Sequence, residues 1–203
     1  MTTDRIDPTR AALLLVDMQN DFLHPDGAYA RGGATLPSAE RLIANLAGLA
    51  AAVRVAGGWI VATQFTLVPG RGGVPMISPH LKRLRPFLRR GDFAPGGFGH
   101  ALIDPLAPAD LSVEKIAYSA FYMTRLEFVL RKAGVETLLI GGIVTNGGVA
   151  STLRDAHVRD FATILLSDGC AAFTPEAHQS SLASLGTISP LRDCAAAASQ
   201  LGR

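Results

Sequence analysis

One stretch decides the fold of this chain: Gly141-Gly142-Ile143-Val144-Thr145-Asn146-Gly147-Gly148-Val149-Ala150-Ser151-Thr152. The residues before it, 136–140, form a short and largely apolar run typical of a buried parallel strand. After it, apolar residues recur at near-helical spacing over 147–159. The stretch is therefore predicted to be a strand-to-helix turn with Asn146 as the helix N-cap. Because ligands bind at the carboxyl ends of strands in open α/β sheets, we expect the functional site here.

The same alternation of strands and helices continues on both sides of this turn. Strands are predicted at 11–16, 59–63, 112–115, 136–140 and 162–166, with a last short strand at 187–189. Helices are predicted at 36–56, 124–133, 147–159, 175–185 and at the C-terminus. This order predicts the α/β class, with a parallel sheet covered by helices on both faces.

Composition limits the classes of protein that this chain can belong to. Its 203 residues are 48% hydrophobic, so we expect one domain, 1–203, around a sizeable core. A formal charge of +2 gives no reason to expect a nucleic-acid partner. No apolar run approaches the roughly 18 residues of a membrane span, and residues 1–10 lack the apolar core of a signal peptide. We therefore expect a soluble, cytoplasmic protein with no membrane partner.

The segment 65–110 is rich in proline and lacks a clear helix or strand pattern. A connection of this length is usually a lid or a binding loop, and it could also close the pocket of a neighbouring subunit. It contains a basic cluster, which comprises Lys82, Arg83, Arg85, Arg89 and Arg90. Such a cluster is usually a solvated face. The alternative is that one of its arginines faces an anionic substrate.

Two charged residues lie at predicted strand ends, where chemistry is expected. Asp17 follows the first strand, either as a structural cap or as a general acid or base whose pKa burial could tune. Lys115 ends the strand at 112–115, where an unpaired lysine would be unusual. A pair between these residues across adjacent strand ends would lie beside the 141–152 turn.

Other residue types are less informative about chemistry. The five histidines show no ligand spacing, so we predict neither a metal nor another cofactor. We expect Cys170 and Cys194 to be buried structural residues rather than nucleophiles or a disulfide framework. Four aromatic residues could form a wall of the site or ordinary core: Phe22, Phe65, Tyr118 and Phe121.

Three motifs in order resemble the isochorismatase-like hydrolase superfamily, which includes nicotinamidases, N-carbamoylsarcosine amidohydrolases and other cysteine hydrolases. They are Asp17-Met18-Gln19-Asn20-Asp21-Phe22, Lys115 within 114–121, and the run from Gly142 to Ala156. The resemblance extends from about Ala11 to Cys194. It implies a three-layer, Rossmann-like fold with a six-stranded parallel sheet, and a homodimer or homotetramer.

The resemblance also assigns expected roles to single residues. Asp17 matches the catalytic aspartate and Lys115 the catalytic lysine, whereas Gly148 stands where the amidohydrolases have their cysteine nucleophile. Isochorismatases proper also have glycine there. They have tyrosine and histidine where this chain has Val144 and Asn146. The resemblance further implies a cis peptide bond between Ile143 and Val144.

Substrate-binding residues follow from the same comparison. Gln64 resembles the substrate-binding glutamine of isochorismatases, and Arg71 their carboxylate-binding arginine. Val144, Thr145, Asn146 and Gly147 are predicted to line the site. Backbone N–H groups at 147–149 could stabilise a developing anion.

Without a thiol at residue 148, no acyl-enzyme can form there. Our leading prediction is hydrolysis of an ether-type bond in a small, isochorismate-like molecule by acid–base chemistry of Asp17 and Lys115. One alternative is an amidohydrolase-like enzyme in which Asp17 activates water. The other is a catalytically inactive relative that binds a metabolite.

Overall fold

The computed structural model describes residues 5–202, and its six strands form one parallel sheet. They are β1 (Ala11–Val16), β2 (Trp59–Phe65), β3 (Leu111–Lys115), β4 (Thr137–Ile143), β5 (Ala162–Ala171) and β6 (Leu191–Arg192). Their order across the sheet is β3-β2-β1-β4-β5-β6. The predicted six-stranded parallel sheet is therefore confirmed.

Helices cover both faces of the sheet, which confirms the three-layer arrangement. Over residues 5–202 they are α1 (Asn20–Leu23), α2 (Ala28–Arg31), α3 (Ala39–Ala56), α4 (Pro79–Leu84), α5 (Leu126–Lys132), α6 (Ala150–His157), α7 (Pro175–Leu185) and α8 (Cys194–Gln200). One apolar core lies between the sheet and α3 with α8, and the other lies beneath α5, α6 and α7. No helix among these residues is long and apolar enough to cross a membrane.

The position of β1 in the middle of the sheet explains why its sequence is a continuous apolar run. All six of its residues are buried, because alternate side chains enter the two cores on opposite faces. Burying each leucine of this strand contributes about 1.5–3 kcal/mol relative to exposure. The strand is thereby fixed at the centre of the sheet.

Several predicted boundaries differ from the structure. The helix predicted from residue 36 begins at Ala39, after Ser38. The strand predicted at 187–189 is wrong. Ile188 and Ser189 donate backbone hydrogen bonds to the Leu185 carbonyl oxygen, and the strand forms at Leu191–Arg192 instead.

The functional turn also differs from its prediction. Val144 occupies the N-cap position, and Thr145–Val149 form one π-helical turn before α6. Asn146 lies within that turn and is exposed, so the predicted N-cap is wrong.

The strand order reverses direction between β1 and β4. After β1 the chain adds β2 and β3 on one side, and it then crosses to add β4 on the other. Such a switch point leaves a crevice at the carboxyl ends of the two strands. Asp17 and the 141–152 turn follow these two strands, so both border the crevice.

Candidate active site

Asp17 and Lys115 form a buried ion pair. The Lys115 ammonium nitrogen lies 2.7 Å from Oδ2 of Asp17. Asp17 is 5% exposed and Lys115 is 2% exposed, so each charge depends on the other for compensation. The Asp17 carboxylate also accepts a hydrogen bond of 3.1 Å from the Thr63 hydroxyl, and Lys115 donates one of 2.8 Å to the Ala117 carbonyl oxygen.

The two charged residues come from strands that are not neighbours, which corrects the prediction of adjacent strand ends. Strand β2 lies between β1 and β3. In the register, Val16 pairs with Thr63, whereas Lys115 pairs with Phe65, two residues further along. The lysine stem therefore crosses beside Phe65, with the ammonium 5.5 Å from the ring centroid.

Burial raises the pKa of the Asp17 carboxyl above its ordinary value. The charge and hydrogen bond of Lys115, the Thr63 hydroxyl and a backbone hydrogen bond from Phe65 oppose that rise. A carboxylate with a raised pKa is a stronger base than an ordinary aspartate. The site therefore holds a carboxylate suited to accept and return a proton.

The turn after β4 places Gly148 beside this carboxylate. The predicted cis peptide between Ile143 and Val144 is confirmed. A Cβ atom on Gly148 would lie 3.2 Å from Asp17 Oδ2, 3.1 Å from the Ile143 carbonyl oxygen and 3.3 Å from a Val16 methyl group. A side chain at residue 148 would therefore begin beside the Asp17 carboxylate.

Gly142 is required where the turn begins. It has a φ of +123°, and a Cβ atom there would lie 2.1 Å from the Val16 carbonyl oxygen. Only glycine allows β4 to approach β1 this closely.

The backbone N–H groups of the turn are partly engaged within it. Those of Gly147 and Val149 donate to the Val144 carbonyl oxygen, at 2.9 and 3.3 Å. Two of the three donors predicted to stabilise an anion at 147–149 therefore point into the turn rather than into the site.

A cavity of about 330 Å³ opens above the ion pair. Seven of the predicted site residues line it: Asp17, Phe22, Phe65, Lys115, Tyr118, Val144 and Gly148. The structure thus brings these seven residues together around one cavity, and their roles stay predictions.

Six other predicted site residues do not line this cavity. The Gln64 amide donates to the His100 carbonyl oxygen at 2.9 Å, and Arg71 is exposed in a short 3₁₀ turn. Phe121 is buried beside Phe161, with ring centroids 5.9 Å apart, so it belongs to the core.

The remaining three belong to the turn itself. A Cβ atom on Gly147 would lie 2.9 Å from a Val144 methyl group, and Asn146 is exposed to solvent. Thr145 is fully buried and shares a hydrogen bond of 2.9 Å with Nδ1 of His178 on α7.

The predicted site residues do not include eleven of the residues that line the cavity, among them Tyr29, Phe173 and Arg85. Tyr29 and Phe173 stack with their ring centroids 5.7 Å apart and their planes 9° apart. Arg85 lines the cavity beside them and belongs to the basic cluster of the 65–110 segment. Neither aromatic residue belongs to a motif, and only the basic cluster gave any indication of Arg85.

Three polar residues just after β1 fasten the 65–110 segment over the cavity of its own chain. The Gln19 amide bonds both backbone groups of Phe65, and Asn20 donates to the Phe98 carbonyl oxygen. The Asp21 carboxylate accepts hydrogen bonds from the Phe93 N–H at 2.6 Å and the Ala28 N–H at 2.9 Å. This part of the motif is therefore structural.

Cys170 and Cys194 are both buried, and burial raises the pKa of each thiol. Neither lines the 330 Å³ cavity. Within residues 5–202, no three histidine, cysteine, aspartate or glutamate side chains are grouped as a metal ion would require.

These features define the class of protein: a three-layer α/β fold with a parallel sheet and a buried aspartate–lysine pair beside a strand-to-helix turn. Residues 11–194 match the isochorismatase domain family. The chain belongs to the isochorismatase-like hydrolase superfamily.

Curated relatives and a solved structure agree with this assignment. The chain is 35% identical to a ureidoacrylate amidohydrolase RutB from Methylobacterium radiotolerans, over 97% of this chain and 81% of that protein. It is 35% identical to the RutB of Pseudomonas syringae pv. syringae, over 91% and 80% of the respective chains. The crystal structure of a cysteine hydrolase from Pseudomonas syringae pv. phaseolicola superposes with a TM-score of 0.82, at 28% identity, covering 97% of this chain and 94% of that one.

Proposed function

We propose that this hydrolase cleaves a small amide or ureido compound with a water molecule that Asp17 activates. The observation that supports this most is the buried Asp17–Lys115 pair, which lines a cavity together with Gly148. The two relatives at 35% identity are named as amidohydrolases, which favours amide hydrolysis over the ether cleavage that was our leading prediction.

In the proposed reaction, Asp17 acts first as a base and then as an acid. The carboxylate accepts a proton from water while the water oxygen bonds to the substrate carbonyl carbon. The C–N bond then breaks, and Asp17 returns the proton to the leaving nitrogen. One water is consumed, and an acid and an amine or ammonia are formed, so no acyl-enzyme is needed.

Lys115 has a donor available for this reaction. An ammonium group has three N–H donors, and two are directed to Asp17 and Ala117. The third can donate to the substrate carbonyl oxygen, where negative charge develops in the transition state. Because the cavity is lined largely by apolar groups, such a hydrogen bond would be stronger than in water.

The glycine at residue 148 supports a second candidate function, since isochorismatases proper share it. In that reaction Asp17 would protonate an enol ether and water would attack the resulting cation. Pyruvate release from isochorismate would identify this activity. Binding without any product would identify the inactive relative.

The test is incubation of the protein with ureidoacrylate, with ammonia release measured over time. We expect turnover by the wild type and a loss of at least about 100-fold in Asp17→Asn, which keeps the size but not the basicity. Asp26→Asn is the matched control, because Asp26 is exposed and outside the cavity. An Asp17→Asn variant as active as the wild type would contradict the proposal.

The homodimer or homotetramer and the cytoplasmic location stay predictions, as does the closure of a neighbour's pocket by 65–110.

A further inference from the structure

The charges that line the cavity do not balance. Asp17 and Lys115 neutralise each other at 2.7 Å. Arg85 also lines the cavity, and among residues 5–202 it forms no ion pair with any carboxylate. Arg85 is therefore a cation of this cavity without a carboxylate partner among the described residues, which favours an anionic ligand.

The Arg85 guanidinium is held in a fixed orientation. Its Nε donates to the Tyr29 hydroxyl at 3.0 Å, and Nη1 donates to the Leu84 carbonyl oxygen at 2.9 Å. Its central carbon lies 5.8 Å from the Tyr29 ring centroid and 6.0 Å from that of Phe173. An oriented guanidinium loses less conformational freedom on binding than a mobile one.

Three of its N–H donors are left after these two bonds, one on Nη1 and two on Nη2. A carboxylate can bridge Nη1 and Nη2 with two parallel hydrogen bonds, which is the strong geometry for this pair of groups.

The other members of the basic cluster lack this arrangement. Lys82 donates to the backbone oxygens of Pro86 and Leu88. Arg83, Arg89 and Arg90 are exposed and do not line the cavity. Most of the cluster is therefore a solvated face, and Arg85 is its one member that lines the cavity.

We propose that Arg85 is the carboxylate-recognition residue of this cavity, and that the substrate is a small carboxylic acid. Its carboxylate binds Arg85, its flat linker lies against Tyr29 and Phe173, and its amide or ureido group reaches Asp17. The assignment of the reacting end rests on the proposed function, whereas the carboxylate site does not.

The experiment measures binding by calorimetry, with benzoate and benzyl alcohol as probes of similar shape that differ in charge. We expect the wild type to bind benzoate more tightly. Arg85→Met and Arg85→Gln should each weaken benzoate binding about 10- to 100-fold and change benzyl alcohol binding less than about 3-fold. Arg85→Lys should recover part of the loss.

Arg83→Met is the matched control, because Arg83 lies in α4, two residues before Arg85, and is exposed. Thermal unfolding of each variant establishes that it is folded. Unchanged benzoate affinity in folded Arg85→Met and Arg85→Gln, or an equal loss in Arg83→Met, would overturn the proposal.

Turnover separates this inference from the proposed function. If benzoate binds through Arg85 but no amide or ureido acid releases ammonia, the carboxylate site stands and the amidohydrolase proposal fails. If ureidoacrylate is hydrolysed and Arg85→Met leaves its KM unchanged, the amidohydrolase stands and the carboxylate site is wrong.

Discussion

Gly148 lies so close to Asp17 that a Cβ atom on residue 148 would be 3.2 Å from Oδ2 of the carboxylate. A thiol attached there would project past the group that can deprotonate it. The turn thus keeps the geometry of a nucleophile and its base, although it offers glycine at the nucleophile's position.

The first prediction is that Gly148→Cys creates a reactive thiol. The new side chain would open into the cavity beside Asp17, whereas Cys170 and Cys194 are buried with raised pKa values. Iodoacetamide labelling followed by peptide mass mapping should modify residue 148 first. The wild type and Gly148→Ala are the controls, and an inert residue 148 would mean that the turn does not expose its side chain to the cavity.

The same substitution should also reduce stability. The added Cβ would meet the Ile143 carbonyl oxygen at 3.1 Å and Val16 at 3.3 Å, both closer than ordinary contact. We expect a cost of about 1–3 kcal/mol in urea unfolding for both Gly148→Ala and Gly148→Cys. If the wild type, Gly148→Ala and Gly148→Cys had equal free energies of unfolding, the turn would accommodate a Cβ atom without strain.

The second prediction concerns Lys115→Met, which leaves the Asp17 charge buried without its partner. The free energy of unfolding should fall by about 3 kcal/mol at pH 8, because an uncompensated buried charge is costly. The double variant Lys115→Met/Asp17→Asn should recover most of this loss. If the double variant were as unstable as the single one, packing rather than charge would be responsible.

The third prediction is the pH dependence of that stability. Burial raises the folded pKa of Asp17 above the ordinary 3.8, so the folded protein holds a proton that the unfolded chain releases. The free energy of unfolding therefore falls as pH rises from about 4 through the folded pKa. Lys115→Met removes the cation that lowers this pKa, so its decline should extend to higher pH. Urea unfolding from pH 4 to 8 measures the difference, and parallel profiles for the wild type, Lys115→Met and Asp17→Asn would contradict it.

The fourth prediction is that Asp21→Ala loosens the segment over the cavity. It would leave the buried N–H groups of Phe93 and Ala28 without their acceptor, at a cost of about 2–4 kcal/mol. Hydrogen exchange at the Phe93 amide should accelerate, while the exposed Asp26→Ala control should not change it. Retained protection at Phe93 would show that another group holds this segment.

The fifth prediction is that Thr145→Val lowers turnover as well as stability. Burial lowers the pKa of His178, so its imidazole is neutral at pH 7 and shares its hydrogen bond with Thr145. Losing that bond should cost about 1 kcal/mol and misplace the turn. Thr163→Val is the matched control, since Thr163 is buried and bonded to Ser189 at 3.0 Å outside the cavity. An equal effect of both variants on kcat would mean that Thr145 has only a structural role.

The helices and strands of the core were predictable because burial imposes simple periods on the sequence. The apolar run 11–16 predicted β1 without error, since a central strand must be apolar on both faces. By contrast, β5 extends through Ser167-Asp168-Gly169 to Ala171, beyond its predicted end at 166. There, polar residues interrupt the apolar run. The strand continues because, after a shift in register, Cys170 and Ala171 pair with Gly142 and Ile143 of β4.

The site shows the same division. Asp17, Lys115 and Gly148, which belong to the three motifs, all line one cavity. Gln64, which was assigned by the same resemblance, does not line it, because its amide donates to the His100 carbonyl oxygen. Side-chain direction at a strand end depends on which groups from distant segments compete for it. That competition is invisible in a local pattern.

The sequence by itself determined the class of fold, the family and the edge of the sheet at which chemistry is expected, because these depend on local periods and short motifs. Only the tertiary structure decided that Lys115 reaches Asp17 across β2, and that Arg85 with Tyr29 and Phe173 completes the cavity. These residues are 56 to 144 positions from their partners and meet only when the sheet order and the 65–110 segment bring them together. Gly148 needed both: the sequence shows that residue 148 has no thiol, and the structure shows that a side chain at this residue would lie beside the Asp17 carboxylate.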